Sequence, residues 1–242
     1  RAYTPKEEAT SPTIATESVF LCAVRDALEG RSVGICDIPG AFMQVDLDGD
    51  VPVHVRLTGI MVERLLEIDS DMYAPFVVYE GGEKVLYVEL LKALYGTLKA
   101  AELFWEKLSG KLIEWGLKEN PYDSCVVNKM INGKQCTVGW HVDDLRISHM
   151  DAKVVDHIID LMSGEFGKEA PLTVNKDKVH KYLGMTFDFT EKGSVTIDMS
   201  EYVKTVIAEM PEDMKGKAAT PAAKHLFDIR EQPVPVEQEK SD

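Results

Sequence analysis

Apolar positions along this chain recur with two periods, three-to-four and two, and their alternation predicts most of its elements. Val19, Cys22, Ala23 and Ala27 fall at helical steps within 16–29, where Thr16 can cap the helix and Gly30 ends it. Val33-Gly-Ile-Cys-Asp37 reads as a short strand, broken by Pro39-Gly40. Val51, Val53, Val55 and Leu57 alternate with Pro52, His54 and Arg56, the period of a half-buried strand. Residues 60–68 read as a helix, and 76–79 with 85–88 flank Glu80-Gly-Gly-Glu-Lys84 as a hairpin. The longest helical pattern runs over 90–115, with Leu91, Leu94, Leu98, Ala101, Trp105, Leu108, Leu112 and Trp115 on one face.

Beyond it, β-rich runs at 125–131 and 136–140 enclose Asn132-Gly133, the strongest short hairpin signal, and a further strand follows at 145–148. Residues 151–166 form an amphipathic helix with Val154, Val155, Ile158, Ile159 and Met162 inward. Runs at 179–189 and 194–199 pair as a hairpin about Glu191-Lys-Gly193, and a helix over 200–210 follows. Residues 1–14 read as a polar arm, and the acidic stretch from 222 with Pro233 and Pro235 as disorder. Helices interleaved with antiparallel hairpins argue an α+β fold.

At 242 residues, 45% hydrophobic and 28% charged, the chain suits one globular domain, alone or with a small lobe. Its 27 Lys+Arg against 41 Asp+Glu give a net charge of −14, opposite to the basic footprint of proteins that grip nucleic acid by its phosphates. Any nucleic-acid reading has to overcome that charge. Cys22, Cys36, Cys125 and Cys136 show no Cys-x-x-Cys spacing and read as reduced thiols of an intracellular protein. No apolar run approaches the roughly 18 residues of a membrane span, and no signal peptide is visible. A first residue of Arg1 is expected of a chain cut from something longer.

Candidate chemistry lies in two separated carboxylate sites. Asp37 ends the run Val33-Gly-Ile-Cys-Asp37, and Asp143-Asp144 lies at the bend between two antiparallel strands, in Trp140-His-Val-Asp-Asp-Leu145. Three acidic groups gathered at strand ends repel one another unless a cation sits among them. Hard oxygen ligands suit Mg²⁺, the ion of phosphoryl and nucleotidyl transfer. Asp46-Leu-Asp-Gly-Asp50 lacks the spacing of a calcium loop and reads as a solvated turn. His54, His149, His157, His180 and His225 show no metal-ligand spacing.

Four segments in order resemble the reverse transcriptase of copia-type LTR retrotransposons, over roughly residues 8–222. Asp37-Ile-Pro-Gly-Ala-Phe42 is similar to the family's Asp-Val-Lys-x-Ala-Phe. Leu90 through Trp105 resembles its Leu-Tyr-Gly helix motif, His141-Val-Asp-Asp144 its Tyr-Val-Asp-Asp, and Lys181-Tyr-Leu-Gly-Met185 its Tyr-Leu-Gly element. The resemblance implies a right-hand polymerase: an arm and helix left from the fingers over 1–32, palm over 33–50, a fingers insertion over 51–90, palm again over 91–190, the start of a thumb over 191–221, and a tail over 222–242. It implies that Asp37, Asp143 and Asp144 form a catalytic triad holding two Mg²⁺ ions, with Mn²⁺ as a substitute. Asp37 would bridge both ions, Asp143 ligate one, and Asp144 assist or tune the cluster. The implied partners are an RNA or DNA template-primer, deoxynucleoside triphosphates, and the RNase H and integrase modules of a Pol polyprotein. The implied place is a cytoplasmic virus-like particle, with no membrane.

Phe42 reads either as an aromatic gate that clashes with a ribose 2′-hydroxyl or as a core Phe behind the turn. Lys99 stands at the family's Gln, and Ala101 and Glu102 replace its Pro and Arg. Lys99 is thus either a triphosphate contact or a solvated helix lysine. His141 stands for Tyr, either supporting the primer end or as a partly exposed strand residue. The family's basic fingers strand would precede Arg1, so the isolated fragment is expected to be feeble or inactive. Two other functions compete: a non-catalytic or decayed palm kept as a binding or structural module, and a metal-dependent phosphohydrolase, which explains the aspartates but not the Leu-Tyr-Gly helix.

Overall fold

A computed structural model of the chain describes residues 11–47, 52–97 and 99–210. It divides into two units, Arg1–Met199 and Ser200–Asp242. In the first unit, helix α1 (Thr16–Glu29) leads into strand β1 (Ser32–Asp37) and a 3-10 turn at Ala41–Gln44. A small lobe follows: β2 (His54–Thr58), α2 (Ile60–Ile68), α3 (Ser70–Tyr73), β3 (Val78–Glu80) and β4 (Glu83–Glu89). Helix α4 (Ala100–Glu114) returns to strands β5 (Lys118–Asn120), β6 (Asp123–Ile131), β7 (Lys134–His141) and β8 (Asp144–His149), then α5 (Ala152–Phe166) and β9 (Thr173–Asn175). Strands β10 (Val179–Tyr182), β11 (Met185–Asp188) and β12 (Thr196–Asp198) close the unit. The second unit contributes helix α6 (Ser200–Glu209).

The central sheet has six strands in the order β5-β6-β7-β8-β1-β9, and every pairing in it is antiparallel. Two three-stranded sheets, β2-β4-β3 and β10-β11-β12, accompany it. The fold is therefore α+β. Side chains alternate across a strand, so Cys36, Val138, Trp140, Leu145 and Ile147 fall on one face of the central sheet, all buried. Helix α5 lies against that face. A Cβ added at Gly34 would meet Ile159 Cδ1 and Val155 Cγ1 at 3.1 Å each, so this glycine lets the helix approach β1. The opposite face carries the charged residues. Among the described residues no helix is long and apolar enough to cross a membrane.

Several sequence expectations need correction. The helix expected over 90–115 begins only at Ala100. Residues 90–93 are extended instead, tied by Leu90 N to Val53 O (2.8 Å), Leu47 N to Leu91 O (3.0 Å) and Ala93 N to Val45 O (2.9 Å). Gly96, with φ at 91°, then turns the chain into α4. Backbone partners distant in sequence override a good helical pattern, and Leu91 is 75% exposed. The single strand expected over 179–189 is two strands folded about Leu183-Gly184, both at positive φ. Thr16 does not cap α1: Ala15 holds that position, its N–H donating to Asp123 Oδ2 at 3.0 Å. On the buried face of α1, Cys22 is only half-buried, while Asp26 is buried. Strands β5 and β9 were not expected. The acidic turn at 46–50 lies largely, and the tail from 222 wholly, outside the described residues.

Candidate active site

Strand register brings the two carboxylate sites together. Asp37, the last residue of β1, stands directly opposite Asp144, the first of β8. Their Cα atoms are thus roughly 4.5–5.5 Å apart with both side chains on one face. Asp143 precedes Asp144 in the turn between β7 and β8, and its carbonyl accepts from Ile38 N at 3.1 Å, tying the turn to the end of β1. That turn is two residues long, since His141 pairs with Asp144. Its first residue, Val142, has φ at 57°. A β-branched residue is costly there, in a place that tight hairpins reserve for glycine. Such strain, of order 1–3 kcal/mol, persists only where the surroundings hold it.

The charges feel one another. Burial raises the Asp37 carboxyl above its ordinary range, and the Asp143 charge adds to the effect. Burial likewise raises Asp144, reinforced by Asp143 and Asp37 and opposed by the neighbouring His141. A phenol answers this crowding: Tyr95 Oη donates to Asp143 Oδ2 at 2.9 Å. Burial, then the hydrogen bond and charge of Asp143, push the Tyr95 phenol up to about 12, so it stays a donor at neutral pH.

Phe42 lies in the 3-10 turn that follows β1 and Asp37. Its ring is buried, 4.3 Å from that of Tyr95 and 6.2 Å from that of Phe104. The loop carrying it is anchored by Gln44, whose Nε2 donates to Phe166 O at 2.9 Å and whose carbonyl accepts from Lys107 Nζ at 2.7 Å. His141 is half-buried at the end of β7, opposite Asp144. Lys99 is exposed at the N-cap of α4, apart from the carboxylate register.

For a hard divalent cation the donor set is chemically right: carboxylate oxygens gathered at the ends of neighbouring strands. Among the described residues, no group of three or more His, Cys, Asp or Glu is already drawn together to hold a metal ion. One of the oxygens, Asp143 Oδ2, is taken by Tyr95.

Two features of this sheet face escaped the sequence reading. Tyr95 lies within the Leu-Tyr-Gly motif, yet nothing in its spacing signals contact with an aspartate 48 residues later. Farther along the same face, Asp26 is buried beside Arg146, which donates to its Oδ2, and Arg31, 3.8 Å away. Arg31 also pairs with Glu29 at 2.7 Å and donates to Thr137 Oγ1 at 3.3 Å. The buried phase of α1 could have flagged Asp26, since it lies one turn from Ala23 and two from Val19.

Comparison with known proteins adds one match. A sequence profile of the family described as "Reverse transcriptase (RNA-dependent DNA polymerase)" matches residues 2–224. No curated protein matches the chain.

Proposed function

This chain belongs to the reverse transcriptase (RNA-dependent DNA polymerase) family, and from that premise we propose that it is the copia-type polymerase domain of a retrotransposon, extending a primer by metal-assisted nucleotidyl transfer. The observation that carries the reading is the register of Asp37 against Asp144, with Asp143 on the adjoining turn. In this reading the six-stranded sheet with α4 and α5 is the palm, and the sheet β2-β4-β3 with α2 belongs to the fingers.

Asp37 and Asp143 would hold a pair of divalent ions, Mg²⁺ or Mn²⁺. When bound, these ions activate the primer 3′-hydroxyl and neutralise the triphosphate and its leaving group. Asp144 sets the local field and keeps Asp37 in line across the strand pair. Val142 fixes the turn that carries Asp143. Phe42 bars a ribose 2′-hydroxyl from beneath the incoming sugar, Lys99 meets the triphosphate, and His141 supports the primer end. No covalent intermediate is required of the chain, whose part is positioning and charge. The working partners are a template-primer, deoxynucleoside triphosphates and the RNase H and integrase modules of the parent polyprotein.

One observation favours a second reading, a non-catalytic palm kept as a binding or structural module: the carboxylates do not already form a ready cage. Primer extension separates the two. With a primed RNA template, deoxynucleotides and Mg²⁺ or Mn²⁺, the polymerase reading expects extension that falls at least about a thousandfold in Asp143→Asn. Extension that survives the change overturns the reading.

A further inference from the structure

Tyr95 touches both halves of the site at once. Its hydroxyl donates to Asp143 Oδ2 at 2.9 Å, and its ring covers that of Phe42 at 4.3 Å, tilted by 41°. Burial does not dictate this pose, because Tyr95 is 53% exposed. It stands on a tight turn in which Thr97 N and Oγ1 both donate to Leu94 O, at 3.0 and 2.7 Å. The anchors therefore hold the turn, and the side chain is fixed at its tip by a single hydrogen bond and one ring contact.

A hydroxyl that donates to a carboxylate presents its positive end there, and so opposes any cation sharing that oxygen. One neutral donor also relieves the repulsion among Asp37, Asp143 and Asp144 far less than a divalent charge would. We propose that Tyr95 is a positioning residue in competition with a divalent cation for Asp143, so that cation binding lifts the phenol and uncovers Phe42 for the incoming sugar. The inference rests on the reading of Asp143 as a metal ligand. It adds that ion binding and access to the ring of Phe42 are one event, because one side chain blocks both.

The test is a calorimetric titration of the full chain with Mg²⁺, in wild type, Tyr95→Phe and Asp143→Asn. Tyr95→Phe keeps the ring and loses the competing donor, so it binds Mg²⁺ about five- to tenfold more tightly, the scale of one solvent-accessible hydrogen bond to a charged group. In parallel, the ¹³Cζ resonance of Tyr95, identified by its loss in Tyr95→Phe, moves with the same Mg²⁺ midpoint as the heat. Affinity unchanged or weakened in Tyr95→Phe, or a Tyr95 resonance indifferent to Mg²⁺, overturns the competition. If Asp143→Asn abolishes the titration while Tyr95→Phe binds Mg²⁺ as wild type does, the competition falls and the polymerase reading stands. If Asp143→Asn binds Mg²⁺ as wild type does, or wild type binds none, both fall.

Discussion

Asp144 and Arg146 stand two residues apart on one face of β8, and the protein treats their charges in opposite ways. At the Arg146 end, one buried carboxylate, Asp26, lies between two buried guanidinium groups, with Thr137 and Glu29 taking further donors. At the Asp144 end, roughly 7 Å away along β8, three carboxylates meet only a phenol and a histidine among the described residues. The first arrangement is complete and holds α1 to the sheet. The second lacks positive charge, which is the condition a cation-binding site must satisfy. Among the described residues, this face thus carries one compensated cluster and one uncompensated one, and the proposed cation site accounts for the difference.

The largest expected effect falls on activity. Asp37→Asn and Asp143→Asn each lower metal-dependent extension by at least about a thousandfold while the fold survives, as primer extension beside a thermal melt will record. Arg146→Ala gives the reverse pattern, stability lost first. It leaves Asp26 in the interior with Arg31 3.8 Å away in place of two guanidinium groups, and costs up to about 3–5 kcal/mol by denaturant titration. The double change Asp26→Leu with Arg146→Met recovers most of that loss, since buried pairs and apolar residues of similar volume are nearly equivalent.

Smaller effects sharpen the contrast through pH. The Asp37 and Asp144 carboxyls are raised above their ordinary 3.8. The native state therefore binds their protons more tightly than the unfolded chain does. Their contribution to stability is fully present below pH 3.8 and is lost as pH rises through the raised native values. Asp144→Asn removes that loss. At pH 7 it is more stable than wild type by about 0.2–1 kcal/mol, the scale for opposed like charges on paired strands, and the gain vanishes near pH 3.8. His180, whose burial lowers its value to about 4, has the opposite sign: stability present above 6.5 is lost as pH falls toward 4, in wild type and Asp144→Asn alike. Denaturation at a series of pH values reads both. Least of all in stability, Val142→Gly relieves turn strain that the greater backbone freedom glycine loses on folding offsets. It leaves stability nearly unchanged and slows extension by about tenfold, because the turn no longer fixes Asp143.

What could be read from sequence was local. Helix α2 falls on the residues its periodicity marked, Asn132-Gly133 makes the turn between β6 and β7, and α5 starts one residue after its expected edge, with Asp151 as its cap. The nearness of Asp37 to the Asp143-Asp144 turn follows from placing each at a strand end. What was not legible depended on distant partners. Residues 90–93 pair with 45–47 and 53, a constraint no helical periodicity contains. The Leu183-Gly184 turn needs a leucine at positive φ, which composition does not announce. Asp26 and Arg146 are 120 residues apart, and only the folded sheet brings them together.

Whether carboxylates from two distant segments bind divalent ions jointly is read most simply in the anomalous difference map of crystals soaked in Mn²⁺. Joint binding puts a peak between the Asp37 and Asp143 carboxylates, absent from crystals of Asp37→Asn. Manganese bound elsewhere, or a peak that persists at Asp143 without Asp37, rules joint binding out.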